Sequence, residues 1–405
     1  MRQSPIYIVS IMCFAEVLTM LGVFIFPALM PEFIVKWNLS NTEAGWIAGI
    51  LLGGYAFSVP ILLSLTDRTD ARLIYLIGAI LSAISLFGFA HFATGFWSAF
   101  LFRLLAGVGL AGTYMPGLRV LVDRYNGEKK SRAIAFYAAS FSLGTAVSFY
   151  FSGEVGSIFG WVVAHKIAGL GAIASSVFIY FLIDKKEPQK PDVRTKLMDL
   201  RPVFRNRAAM GYILTYFVHN WELFAFRSWL VAFLVYSLTF QGGTESLVLP
   251  TVVATLSALV AMIASFAGNE IADRCGRRRT LIFFLFSSGT VALVIGFLAA
   301  LPYWIVVILV ILYAGLIQLD SAVLTAGTIF AAEKGRRGAT LGVHALIGFA
   351  GGALGPLAVG VVLDISGSVT SLFSWGLAFA SMGLVAFLGP IALWRLGTGL
   401  NVKTE

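Results

Sequence analysis

The chain has 405 residues, 59% of them hydrophobic and 12% charged, with a formal net charge of +9. A soluble domain carries about 25% charged residues, so this composition leaves too little polar surface to cover a globule in water. The two cysteines, Cys13 in an apolar run and Cys275 in a basic loop, imply no disulfide framework.

Crossing a hydrocarbon core of roughly 30 Å takes about 20 helical residues. Apolar runs of that length recur from end to end and predict an all-α membrane protein with twelve transmembrane helices, over 6–31, 43–66, 72–92, 95–121, 132–153, 159–183, 208–236, 246–268, 279–300, 302–330, 338–363 and 369–395. The first run is too long for a signal-peptide core and has no small-residue cleavage site, so it is read as a retained span.

The first span carries Glu16. LTDRTDARLIYLIG (65–78) follows the second, and Arg103 opens RLLAGVGLAG (103–112) in the fourth. DRYNGEKKSRA (123–133) leads into the fifth span, which contains SFSLGTAVSFYFSGEVG (140–156). His165 and Lys166 stand near the outer end of the sixth, where snorkelling to the interface accounts for them. A charged linker, DKKEPQKPDVRTKLMDLRPVFRNR (184–207), comes next. The seventh span holds YFVHNWELFAFR (216–227), which sets Tyr216, His219, Asn220, Glu222 and Arg227 between apolar flanks. Its aromatics (Phe217, Phe224, Phe226 and Trp229 among them) suit lipid and interface contact, with Tyr216 and Trp221 available to a pocket. IADRCGRRRTLIFF (271–284) follows the eighth span, Asp320 lies in the tenth, and AAEKGRRGATLG (331–342) leads to the eleventh. His344 there reads as a packing histidine. The runs GGYAF (53–57), AGVGLAG (106–112) and FAGGALGPLAVG (349–360) place small residues at close helix crossings.

The charge is distributed asymmetrically. Arg103, Lys166 and Arg227 lie inside spans and Lys36 in an outer loop; the other 25 of the 29 lysines and arginines (29 less these 4) fall on or beside one face. The positive-inside rule makes that face cytoplasmic, with both termini on it. It also accounts for the basic excess without a nucleic-acid partner.

The chain repeats itself. Asp67 and Asp273 are 206 residues apart (273 less 67), RLLAGVGLAG aligns with ILYAGLIQLD (311–320) at 208 (311 less 103), and Glu154 and Asp364 are 210 apart (364 less 154). Two homologous six-helix halves follow, 1–183 and 208–405, joined by the cytoplasmic linker 184–207.

On these residues the whole chain resembles the major facilitator superfamily. Its loop motif, Gly-x-x-x-Asp-Arg-x-Gly-Arg-Arg, is matched by Asp273, Arg274, Gly276, Arg277 and Arg278, with Asn269 in the leading glycine position. In the first half Asp67, Arg68 and Arg72 match, while Leu63 and Asp70 replace the two glycines. Arg103, Gly107 and Gly109 meet the fourth-helix motif Arg-x-x-x-Gly-x-Gly, and 123–133 resembles the family's loop between helices four and five. The resemblance implies two pseudo-symmetric six-helix bundles, a central cavity walled by helices one, four, seven and ten, and a monomer. It also implies that Asp67 and Asp273 form ion pairs holding the cytoplasmic gate shut when the outer side is open.

Charges near mid-bilayer cost about 2.5–3.5 kcal/mol each on insertion scales and face the bundle interior or a wet cavity. Glu16, Arg103, His219, Glu222, Arg227 and Asp320 fall on the four helices the resemblance places around the cavity, and with Tyr216 and Asn220 they form the expected substrate and proton pathway. Glu16 and Arg103 each lie about 15 Å from the start of their helix, so they are expected within pairing reach; the alternative for Arg103 is a tie to backbone carbonyls. Glu222 and Arg227, five apart, are imperfect partners within one helix. A carboxylate between a desolvating cavity, which favours its neutral form, and an arginine, which favours its charged form, can take up and release a proton. Glu16, Glu222 and Asp320 are the candidates.

No Gly-Lys-Ser/Thr phosphate loop occurs, so ATP is not the direct energy source, and no cofactor or metal is expected. The reading is a secondary transporter of the bacterial cytoplasmic membrane, working by alternating access and driven by protons. The fifth span lacks the proline motif of the family's drug antiporters, and the second lacks the arginine of its nitrate porters. Arg103 and Arg227 suit a small organic anion. The alternatives are efflux of a lipophilic or cationic compound held by the acidic residues, and a membrane sensor that binds without transport. An intramembrane enzyme finds no support, since neither His-Glu-x-x-His nor Gly-x-Ser-x-Gly is present.

Overall fold

The structure, a computed structural model, describes residues 4–186, 200–243, 248–333, 336–367 and 369–396. Most of the linker (187–199) and the basic residues Arg2, Lys334 and Lys403 lie outside the described residues.

The regular structure among the described residues is helical. Helix α1 is broken: Pro5–Met20 runs into a turn and resumes as Ile25–Ala28 and Met30–Trp37. It continues past the predicted end at 31 until Asn38 adopts a left-handed conformation (φ 48°) and closes it. α2 is Asn41–Leu65, α3 Ala71–Phe92 and α4 Phe96–Arg124. Lys130–Leu182 is helical except at Gly160 (φ 81°), which divides it into α5 and α6. In the second half α7 is Arg207–Phe240, α8 Val248–Cys275 and α9 Arg277–Ile295. α10 is interrupted (Tyr303–Gln318 and Ser321–Ala331), α11 is Arg337–Ile365, and α12 comprises Leu372–Ala386 and Leu388–Leu396. Ten helices are long and apolar enough to cross a membrane. One of these, among the described residues, holds both α5 and α6, and the broken α1 comes in addition, which is consistent with the twelve spans expected.

Polar side chains set several of these starts. The Ser40 hydroxyl accepts the Glu43 N–H at 3.1 Å while the Glu43 carboxylate accepts the Ser40 N–H at 2.9 Å, a capping box that begins α2. Asn206 accepts the Ala209 N–H at 3.1 Å and begins α7.

Within the first half α1 packs on α5 and α6, and α4 on α2 and α3; in the second half α7 packs on α11 and α12, and α8 on α10. The halves meet along α2 with α11 and α5 with α8. At the α2–α11 crossing backbones touch. A Cβ on Gly45 would lie 2.5 Å from the Pro356 carbonyl oxygen, and one on Gly49 would collide with that of Ala353. α7 is 78% buried over its most apolar window, the most enclosed of the spans. Phe224, Phe226 and Trp229 are accordingly interior rather than lipid-facing, because α7 has protein on both sides.

The contacts between halves lie away from the chain termini. α2 and α11 meet over 41–55 and 349–364, and α5 reaches α8 where Gly153 abuts Thr251. At the termini end, no hydrogen bond or ion pair between described residues crosses from one half to the other, and Gly338 and Gly342 of α11 face open space. Among the described residues, the contacts between halves therefore gather away from the termini.

Candidate functional site

Of the span residues singled out from sequence, Glu16 (0% exposed), Arg103 (5%), Arg227 (6%), Asp320 (3%) and His219, Asn220 and Glu222 (1% each) are buried, while Tyr216 is half-buried. They divide into groups with different partners.

Arg103 and Glu16 do not pair. Arg103 donates to the carbonyls of Val23 (2.8 Å), Ile47 (3.3 Å) and Ala48 (3.5 Å). Val23 lies in the turn where α1 breaks, so the guanidinium satisfies a carbonyl that loses its helical partner there and binds α1, α2 and α4 together. Depth from the helix start misled the expectation, because α1 runs on to Trp37 and leaves Glu16 well below its middle.

Glu16 instead meets Tyr137 of α5, whose hydroxyl lies 3.0 Å from Glu16 Oε2, 3.0 Å from the Tyr114 carbonyl and 3.3 Å from that of Thr113. A phenol has one proton to give, and here it faces three acceptors. Glu16 Oε1 is buried with no partner among the described residues.

Glu222, 206 residues after Glu16 (222 less 16), is held differently. It accepts from the hydroxyls of Tyr313 (2.9 Å) and Ser288 (3.1 Å), so it faces α10 and α9 within its own half and does not reach Arg227.

The break in α10 presents Asp320 to α7, where its Oδ1 lies 2.6 Å from His219 Nδ1 without hydrogen-bond alignment. This supplies the partner that Asp320 lacks in its own segment. Beside the pair, the Tyr216 ring stacks on His344 (centroids 3.9 Å apart), and His344 Nδ1 lies 3.1 Å from the Thr328 hydroxyl. Tyr55 of α2 packs on Phe349 of α11 at 4.5 Å, which brings the first half to the same place. The buried polar atoms His219 Nε2, Asn220 Nδ2, His344 Nε2 and Tyr55 Oη have no partner among the described residues. Buried polar groups are normally satisfied, so this cluster has donors to spare. Sequence reasoning missed Tyr55 and took His344 for packing, because neither carries a charge or a motif.

Arg227 stands apart from these groups. Its guanidinium lies 5.8 Å from the Phe224 ring centroid and makes no hydrogen bond or ion pair among the described residues. It borders a small cavity of about 10 Å³ between α5, α7, α8 and α10, with Phe149, Ala254, Ser257 and Ala314 in the wall. The Ser257 hydroxyl is also unpartnered. His165, by contrast, is not a snorkelling group: it is 2% exposed and stacks on Phe89 at 4.2 Å.

The loop motifs bind within their own halves. Asp67 meets Arg119 at 3.7 Å, Arg68 is exposed, and Arg72 donates to the Ile179 and Tyr180 carbonyls at the end of α6. Asp273 pairs with Arg277 at 2.6 Å, Arg274 with Glu270 at 2.7 Å, and Arg278 donates to the Trp394 carbonyl at 3.5 Å. Gly276 (φ 91°) allows the turn from α8 to α9. Asp70, which stands where the motif has glycine, accepts from Arg124 (2.7 Å) and from the N–H groups of Lys186 (2.9 Å) and Arg72 (3.0 Å). Partial burial pushes its carboxyl up, but these hydrogen bonds and the Arg124 charge outweigh it and hold it below the ordinary 3.8.

Comparison with known proteins follows the same lines. The chain is 24% identical to the hexuronate transporter of Bacillus subtilis (strain 168), covering 89% of each protein. It is 23% identical to protein spinster homolog 1 of Homo sapiens over 58% of this chain, and spans only 47% of that relative's length. Among solved structures, a bacterial homolog to human lysosomal transporter Spinster, in inward-facing and unoccupied conformation, superposes with a TM-score of 0.69 at 16% identity, covering 98% of this chain and 96% of the other. The model of the Major Facilitator Superfamily matches residues 12–356. With the repeated loop motif and this match over most of its length, the chain belongs to the major facilitator superfamily.

Proposed function

We propose that this protein carries a small organic anion across the cytoplasmic membrane by alternating access, coupled to protons. The two halves, 1–183 and 208–405, rock about the buried cluster as a monomer, with the linker 184–207 and both termini in the cytoplasm. The basic loops support a cytoplasmic position for the termini end.

The observation that carries the reading is Arg227. A guanidinium stays charged in a protein and matches a carboxylate in bidentate fashion. Left without a partner at this depth it is costly, and a substrate carboxylate supplies the missing anion, with Ser257 as a second donor. Two relatives support the class by their names, since hexuronate and niacin are both small carboxylates: the hexuronate transporter, and the niacin transporter NiaP of Acinetobacter baylyi, 27% identical over 40% of this chain and 35% of that protein.

The proton sites follow from hydrogen-bond inventory. The three acceptors around Tyr137 are reconciled when Glu16 is neutral and donates to the phenol oxygen, whose own proton goes to the Tyr114 carbonyl. Glu16 is therefore read as a proton carrier, and the His219–Asp320 pair as a second. Glu222 already has a donor on each oxygen and is read as holding α7, α9 and α10 together.

The test is reconstitution into liposomes loaded with a pH dye, challenged with uronates, nicotinate, inorganic anions, sugars and lipophilic cations. Proton flux triggered by a carboxylate and lost in Arg227→Gln supports the reading. Flux confined to lipophilic cations moves the protein to efflux, and binding of a carboxylate without flux identifies a sensor.

A further inference from the structure

The carboxylate of Asp364, near the end of α11, accepts four hydrogen bonds from the start of α2 in the other half. Asn41 donates its backbone N–H (3.0 Å) and its side-chain amide (2.8 Å) to Oδ1; Thr42 donates its N–H (2.8 Å) and hydroxyl (2.6 Å) to Oδ2. Both oxygens are thus occupied by donors more than 320 positions away in sequence. The two N–H groups are the first of α2, which have no acceptor inside their own helix, and the positive end of the helix dipole adds to the attraction.

The position of this contact gives it a consequence. It sits at the outermost end of the α2–α11 crossing, where the Asn41 carbonyl lies so close to Gly360 that no side chain fits between them. Elsewhere the halves meet mainly through apolar packing, with a further hydrogen bond from the Thr255 hydroxyl to the Ala146 carbonyl at 3.3 Å. The motif aspartates at the opposite end, Asp67 and Asp273, bond only within their own halves. Apolar packing between sliding helices changes little in energy over small displacements. A carboxylate held by four directed donors does not slide; it is either engaged or released.

We propose that Asp364 is the latch of the outward end, engaged on the N-terminus of α2 in the conformation seen here and released when that end opens. It positions the two halves rather than touching the solute, and it sets the balance between the two states. The proposal rests on the alternating-access reading.

The test uses full-length protein in lipid nanodiscs, with Cys13 and Cys275 replaced by serine and spin labels at Thr94→Cys and Ala300→Cys, on the outward loops of the two halves. Distances are measured by electron–electron double resonance in otherwise unaltered protein, in Asp364→Asn and in Thr42→Val. Hydrogen bonds to charged groups contribute enough that losing one shifts a two-state equilibrium by about tenfold or more. The expected result is a rise of that size in the population with the longer outward distance in both variants. Thr42→Val keeps the charge and the helix start, so it carries the test if Asp364→Asn fails to fold. An unchanged distribution in both variants, while the unaltered protein shifts its distances with pH or substrate, overturns the latch alone. A single distance in every sample under all conditions overturns the latch together with alternating access.

Discussion

His219 Nδ1 and Asp320 Oδ1 stand 2.6 Å apart, both side chains nearly inaccessible, one on the continuous α7 and the other at the interruption of α10. Removing one partner of a buried pair leaves the other uncompensated, at about 3–5 kcal/mol. Asp320→Asn and His219→Gln should each slow uptake by about a hundredfold or more, and the double variant should be no worse than either alone. The double-mutant cycle in liposomes should return a coupling of about 1–3 kcal/mol. Losses that simply add would mean the two residues act separately.

Arg227 should show a conflict between stability and function. Arg227→Met removes an unpartnered buried charge, so thermal unfolding in detergent should move upward, consistent with an insertion cost of about 2.5–3.5 kcal/mol per charge. Uptake of anions should be lost. Arg227→Lys keeps the charge but not the fork and should raise KM about tenfold or more with a smaller effect on kcat. A destabilised Arg227→Met would show that the guanidinium has a structural partner after all.

Glu16→Gln should separate exchange from accumulation. The amide can donate to Tyr137 as the neutral acid does, so counterflow of labelled substrate between preloaded vesicles should persist. Accumulation driven by a pH gradient should fall to background. Gradient-driven accumulation equal to that of the unaltered protein would remove Glu16 from the proton path.

Asp70 gives a pH dependence whose sign can be worked out. Its folded carboxyl lies below the ordinary 3.8, so the stabilisation it contributes is present above about pH 4 and fades as pH falls through the depressed value. Asp70→Asn should destabilise the protein near neutrality by on the order of 1 kcal/mol, allowing for partial exposure. The difference in unfolding temperature between the two proteins should narrow in acid below pH 4. A gap that is constant with pH would mean the carboxylate charge is irrelevant there.

The fold was legible because lipid imposes simple demands on a sequence. Span length, the bias of Lys and Arg to one face, and an offset repeated at Asp67/Asp273 are one-dimensional signals that a chain cannot hide. The site was legible only as a set of buried charges. Helical spacing says which residues share a face, not which neighbour that face meets. Arg103 turned to carbonyls exposed by a break in α1 that composition does not announce, and Glu222 turned into its own half towards Tyr313 and Ser288. The groups that answer the charges, Tyr137, Tyr313, Tyr55 and His344, are ordinary span residues with no pattern of their own. Asp364 was visible as a repeat partner of Glu154, but its contact with Asn41 and Thr42 depends on how two separate halves are placed.

The backbone contact of α2 with α11 also bears on how this protein tolerates change. Gly45, Gly49 and Gly360 touch no solute and titrate nothing, yet each stands where even a methyl group would strike the facing chain. In a saturation survey of viable substitutions, that narrow line would be as intolerant as the pocket itself. A map of constraint drawn on this protein would therefore mark two features, the buried polar cluster and the seam between α2 and α11, and only the chemistry of the permitted residues would tell them apart: polar and particular in the first, merely small in the second.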